Sequence, residues 1–270
     1  MRPSSSLFDP VLARGPVPAL LSDGSWLAAL LDVEAALARV EADAGLIPAA
    51  AADAVAAVKP DRFDVAALGA AAAACGNPVV PLVAALREAV GPDAATSVHC
   101  GATSQDILDT AAMLLARKAS GAILADLSGA VDTAARLARA HRDTVMAGRT
   151  LLQQAVPVTF GLLAAGWLTG LSAAADRLGQ VRDTRLAVQL GGPAGTLAGL
   201  APDLPARLAR AVGLAAPVLP WHADRTRIGD LAGCHDGNGK PWTALQVQAP
   251  LSIVPDGFRC CVADGGPALM

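Results

Sequence analysis

At 270 residues the chain is long enough for one large domain or two modest ones, and for a sizeable buried core. With 53% hydrophobic and 17% charged residues it is not a disordered sequence. A net charge of −3 without a basic stripe, no tyrosine and 3% aromatics gives nucleic acid neither an electrostatic footing nor stacking platforms.

The N-terminus, "MRPSSSLFDPVLARG", lacks the apolar core of a secretory signal. Five cysteines, odd in number and irregularly spaced, suit a reducing cytoplasm, which is the expected location. The pattern then predicts helices nearly throughout. "SWLAALLDVEAALARVEADAG" (25–45) has a serine cap, apolar residues at Leu27, Leu30, Leu31, Val33, Leu37 and Val40, and a terminal Gly45. Pro48 opens a second helix. Two short helices at 64–74 and 79–90 are separated by "CGNP". A long helix is expected from about Thr103 to about Arg142, interrupted by "VMAGRT", and a second from near Pro157 to about Leu186. "QLGGPAGTLAGL" reads as a glycine-rich loop, 203–213 as a shorter helix, and a further helix opens after Pro220. No strand alternation is expected anywhere.

Residues 150–175 carry no charge and are long enough for a membrane span. Gln153, Gln154, Thr159, Thr169 and Ser172 argue instead for a helix buried in an assembly, with no membrane partner. Gly161 and Ala165, and Gly166 and Gly170, stand four apart, a spacing that lets helix backbones approach closely. Two helices this long need each other or other chains to cover their faces, so a core built from several chains is expected. From Cys234 onward the alanine–leucine style stops, and 234–270 reads either as a flexible tail or as the product of a shifted reading frame.

The stretch "SVHCGATSQDILDTAAMLL" (97–115) gathers hydrogen-bonding side chains at the start of the first long helix. Thr103 or Ser104 would cap that helix, and Asp106 and Asp109 suit its first turn. His99 and Gly101 are not explained by capping, and a helix start with hydroxyls and a histidine also suits an anion. From the residues alone, capping and substrate binding both stand.

"VHCGATSQDILDTA" resembles the first signature region of the fumarase/aspartase superfamily, in which an H-x-G-x-T-S-x-D segment opens a long helix and its hydroxyls hold a substrate carboxylate. "MAGRTLLQQAVPVTFGLLAAGWL" is similar to the second region, and "QLGGPAGTLAGL" and "LPWHADRTRIGDLAG" to the segments after it. The N-terminal "LFDPVLARGPVPALLSDGSWLAALLDVEAALARVEADAGLIP" resembles one branch, the 3-carboxy-cis,cis-muconate cycloisomerases. The resemblance covers residues 7–233. It implies an all-α, long-helix bundle: a smaller N-terminal helical domain at 1–102, an incomplete central bundle at 103–233, and an atypical tail at 234–270. It further implies a homotetramer whose active sites are shared between chains.

The implied reaction closes 3-carboxy-cis,cis-muconate to 4-carboxymuconolactone in aromatic degradation, the reverse of a β-elimination. A substrate carboxylate attacks a double bond, and the carbon beside another carboxylate takes a proton. No cofactor and no metal are implied, because that carboxylate can accept the developing charge as an enolate. By the resemblance His99 and Ser104 are catalytic, while Thr103, Gln105, Arg149, Thr150, Gln153 and Gln154 bind the polycarboxylate. Arg149 also suits a structural ion pair, and Thr150 and Gln153 ordinary helix-start contacts. Many relatives have a histidine after the "RT" pair or three positions on; here those places hold Leu151 and Gln154, neither of which is an acid or base. His141 reads as a surface histidine, and Trp221, His222 and Arg225 as packing. The mobile G-S-S-x-M-P-x-K-x-N-P loop of the superfamily, whose serine transfers a proton, is not among these residues. The expectation is a truncated or frameshifted chain with little turnover. Alternatives are an adenylosuccinate lyase-like enzyme, a non-enzymatic helical remnant, a metal site at Cys234, His235, Cys260 and Cys261 with poor zinc spacing, and a nucleotide loop at "GGPAGTLAG" that lacks its preceding strand.

Overall fold

The computed structural model describes residues 15–233. The tail, its cysteine–histidine group and residues 7–14 of the N-terminal segment lie outside them. In chain order the helices are α1 (Val17–Leu20), α2 (Asp23–Asp43), α3 (Ala49–Ala57), α4 (Val65–Cys75), α5 (Val79–Val90), α6 (Pro92–Ala95) and α7 (Ser104–Ala140). A hairpin of β1 (Val145–Thr150) and β2 (Gln153–Thr159) follows, then α8 (Phe160–Thr184), α9 (Leu204–Val212) and α10 (Thr226–Gly233).

The helix boundaries have local causes. Ser22, not Ser25, caps α2: its Oγ accepts the Ser25 amide at 3.3 Å, and Ser25 Oγ donates to the Ala19 carbonyl at 2.9 Å. Asp64 caps α4 through the amides of Ala66 and Ala67, and Gly76 ends that helix in the left-handed conformation.

The chain divides into two compact units. One comprises residues 16–121 and 180–230 and holds the apolar core. There α2 packs against α3 and α9, with Leu27, Leu30, Leu37 and Val40 meeting Leu204 and Leu208 in one buried cluster. Ile107, Ala111 and Leu115 bring the first half of α7 into the same cluster, and Val188 and Leu190 join it from the segment after α8. The other described unit, 122–179, holds the second half of α7, the hairpin and most of α8.

The hairpin is a departure from the sequence reading. Thr150 pairs with Gln153, Arg149 with Gln154 and Val145 with Thr159, with an irregularity between Ala147 and Arg149. Pro157, expected at a helix start, is instead paired with Ala147 in β2, and α8 begins three residues later. The two-residue turn is Leu151–Leu152, both at positive φ (47° and 61°). Gly161 explains why α8 can start where it does. A β-carbon there would lie 2.7 Å from the Arg142 Cα and from the His141 carbonyl oxygen. Gly166 and Gly170 face open space. An open groove of about 410 Å³ in this unit is lined by Ala135, Ala138, Thr159, Leu162, Ala165 and Leu168, among others. Among the described residues no helix is long and apolar enough to cross a membrane.

Candidate active site

The polar stretch before α7 is assembled around one buried carboxylate, Asp106. Oδ2 accepts the amides of Thr103 (3.0 Å) and Gly192 (2.9 Å); Oδ1 accepts the amide of Gly191 (3.1 Å) and Nε2 of Gln189 (2.8 Å). The bond to Thr103 is half of a capping box, the acid at the third helical position reaching back to the cap amide. The other three tie the helix start to the glycine-rich loop. Thr110 adds two bonds, donating to the Gln189 carbonyl at 3.0 Å and accepting its amide at 2.9 Å.

The glycines of "GGPAG" are selected by crowding. A β-carbon on Gly191 would come within 2.7 Å of Pro220, on Gly192 within 2.8 Å of the Gly101 carbonyl oxygen, and on Gly195 within 2.9 Å of the His222 ring. Gly192 and Gly195 also have positive φ. Loop 189–195 is therefore packed closely against the backbone of loop 99–103 and the side chains of loop 220–222. Gln189 joins the third of them: its Oε1 accepts the Trp221 amide at 2.6 Å, and its Nε2 lies 3.4 Å from His222 Nδ1.

The expected caps behave differently from the sequence reading. Because Asp106 secures the helix start, the Thr103 hydroxyl makes no hydrogen bond among the described residues. Among the described residues Ser104 Oγ accepts only Asn77 Nδ2, at 3.3 Å. Gln105 donates to Asp109 (2.8 Å), which also takes both terminal nitrogens of Arg225, at 2.6 and 3.0 Å. The Arg225 guanidinium lies over the Trp221 ring, 5.6 Å from its centre. His222 and Arg225, read from sequence as packing, thus stand on the same scaffold as His99, Thr103, Ser104 and Gln105.

His99 has φ of +60°, uncommon for a residue with a side chain. The residue before it is held by Arg87, whose Nη2 donates to the Val98 carbonyl at 3.3 Å. The ring is held by Glu34 of α2, with Nδ1 2.7 Å from Oε1. Glu34 is 1% exposed, and Glu41, seven residues on along the same helix face, is 0% exposed. Both Glu41 carboxyl oxygens are buried without a hydrogen-bond partner among the described residues. Burial first, and the neighbouring Glu34 second, push the Glu41 carboxyl up to about 8, so it is protonated at neutral pH. Burial also raises the adjacent Cys100 thiol, with Glu41 contributing. The sequence reading passed over these two acids; their sign was glutamate at core spacing between Leu30, Leu37 and Val40.

The second set of expected residues lies on the hairpin of the other unit. Arg149, Thr150, Gln153 and Gln154 are all exposed and flank the Leu151–Leu152 turn. Arg149 has no ion pair among the described residues. His141 ends α7 half-buried, its ring edge-on to Phe160 and its carbonyl accepting the Gly161 amide. Among the described residues no group of three or more His, Cys, Asp or Glu is placed to hold a metal ion.

A helical chain with this helix-start cluster matches the sequence profile of one family, described as lyase, over residues 19–235, and the chain belongs to that family. It is 48% identical over 241 residues to nitrosuccinate lyase from Streptomyces davaonensis, covering 84% of this chain and 51% of that protein. It is 47% identical over 235 residues to 3-carboxy-cis,cis-muconate cycloisomerase from Bradyrhizobium diazoefficiens, covering 84% and 52%. The crystal structure of 3-carboxy-cis,cis-muconate lactonizing enzyme from Pseudomonas putida superposes with a TM-score of 0.81 at 41% identity, over 84% of this chain and 54% of that one. The chain spans about half the length of the curated relatives it matches.

Proposed function

We propose that this chain forms part of a cofactor-independent cycloisomerase that closes 3-carboxy-cis,cis-muconate to its lactone. The observation that supports the reading is the uncommitted chemistry at the start of α7. The Thr103 hydroxyl has no partner among the described residues, Ser104 has only a long bond to Asn77, and both stand on a helix start fixed by Asp106. Hydroxyls and amides at the positive end of a helix dipole hold a carboxylate well.

In this reading Thr103, Ser104 and Gln105 hold one substrate carboxylate, and His99 and Ser104 handle the proton that the substrate carbon takes up. Arg149, Thr150, Gln153 and Gln154 hold further carboxylate oxygens from the hairpin of another copy in a homotetramer. The exposed apolar side chains around that hairpin and the first turns of α8 favour such an assembly.

A second reading has a specific observation behind it, the 48% identity to nitrosuccinate lyase. Elimination from a substituted succinate makes the same demand, a stabilised negative charge beside a carboxylate. Calorimetric titration of the purified chain with each acid separates the two. The muconate is expected to bind, with Thr103→Val and Ser104→Ala each weakening it about tenfold, the value of one or two hydrogen bonds to a charged group. Preferential binding of nitrosuccinate would transfer the assignment to the second reading, and binding of neither would overturn both.

A further inference from the structure

We propose that Glu34 is a positioning residue for the candidate site: its buried carboxylate fixes the Nδ1–H of His99, so that the proton the histidine gives and takes moves at Nε2. The inference rests on the functional reading above for what His99 acts on, but its geometry stands alone.

Three observations carry it. Glu34 is enclosed in the core of its unit, and the His99 ring is its only side-chain hydrogen-bond partner among the described residues. With the Glu34 carboxylate as the acceptor, the 2.7 Å contact places the hydrogen on Nδ1. Nε2, by contrast, has no hydrogen-bond partner among the described residues and is not enclosed; the only buried side-chain N or O atoms without a partner there are the two oxygens of Glu41. A buried ion pair contributes little net stability, so the consequence of this one lies in where it aims the ring. The backbone works to the same end, since φ of +60° at His99 and the Arg87–Val98 bond set the direction from which the ring meets Glu34.

A substrate carboxylate oxygen bonds to one alkene carbon, and the π electrons pass to the carbon beside a second carboxylate. That carbon forms a C–H bond with the Nε2 proton of the imidazolium. The N–H electrons stay on Nε2, leaving a neutral ring with hydrogen on Nδ1 and Glu34 still ionised. The return of a proton from water to Nε2 completes the cycle.

Nitrogen-15 NMR of the imidazole rings tests this, with a His99→Gln spectrum to assign the signals. Recorded at a pH where the ring is neutral, His99 is expected to carry its hydrogen on Nδ1, shifting toward Nε2–H in Glu34→Leu and Glu34→Gln. Glu41→Gln should leave it unchanged. Calorimetry on the same proteins should show muconate affinity little changed with either Glu34 substitution, because His99 handles the proton while Thr103, Ser104 and Gln105 hold the carboxylate. Hydrogen on Nε2 in the unsubstituted chain would overturn the inference even if the Glu34 variants fail to fold. So would a folded Glu34→Leu chain whose neutral His99 keeps its hydrogen on Nδ1, because Glu34 would then not set the tautomer. If the unsubstituted chain binds neither acid, the functional reading falls, and the NMR tautomer alone decides this one.

Discussion

Glu41 carries a measurable cost. The unfolded chain releases this proton near the ordinary value of 4.5, and the folded chain keeps it until about 8. Between those limits the native state binds more protons than the unfolded state, so stability falls as pH rises through the window and levels off above it. The loss is on the order of a few kcal/mol. Urea midpoints at pH 5 and pH 8.5 should therefore differ more for the natural chain than for Glu41→Gln, and equal differences would remove Glu41 from the account. Its neighbour on the helix face, Glu34, has an imidazole to meet it. Two carboxyls on one apolar seam thus have opposite surroundings, one paired with a histidine and one without a hydrogen-bond partner among the described residues. Both were visible in the sequence only as interruptions of a leucine pattern, and spacing alone cannot say which has a partner 65 residues away.

Among the elements, the helices were legible because their signals are local. Gly45, Pro48, Asp64 and Gly76 punctuate the chain where the structure ends or starts helices. The hairpin was not legible, for an equally local reason. A two-residue turn at positive φ ordinarily announces itself with asparagine and glycine, whereas this one is Leu–Leu, a conformation costing about 1–2 kcal/mol per residue. The uncharged run through residues 150–175 then reads as an interruption followed by a helix from near Pro157, with no strand in it. The glycine spacing in that run was half informative. Gly161 meets backbone at 2.7 Å, and Gly166 meets nothing. Gly161→Ala should destabilise the chain by about 1–3 kcal/mol, as overpacking does, while Gly166→Ala should gain up to about 1 kcal/mol from helix propensity. Denaturant titration of the two variants checks both signs. The polar cluster was legible as residues but not as roles, because Asp106 takes over the capping that Thr103 and Ser104 were expected to supply.

At the scale of the whole molecule the two units are unequal. The unit of residues 16–121 and 180–230 holds the apolar core and exposes Val218 and Leu219 at one loop, whereas the other leaves Leu151 and Leu152 88% and 108% exposed, with Val156 and Leu162 also open. A patch of that kind calls for a partner. Under the proposed function the chain should elute as a tetramer by light scattering, and Gly166→Leu, which adds bulk on α8, should shift it toward the monomer; a monodisperse monomer from the unaltered chain would remove the tetramer from that proposal. Asp106 has a consequence of another kind. Its partners Gln189, Gly191 and Gly192 lie 83 to 86 residues downstream. At a synthesis rate of about 5–20 residues per second, roughly 4–17 seconds separate the arrival of this carboxylate from that of the amides that enclose it. Through that interval the aspartate must stay in water. On the ribosome the helix start therefore closes late, after the second long helix has been made.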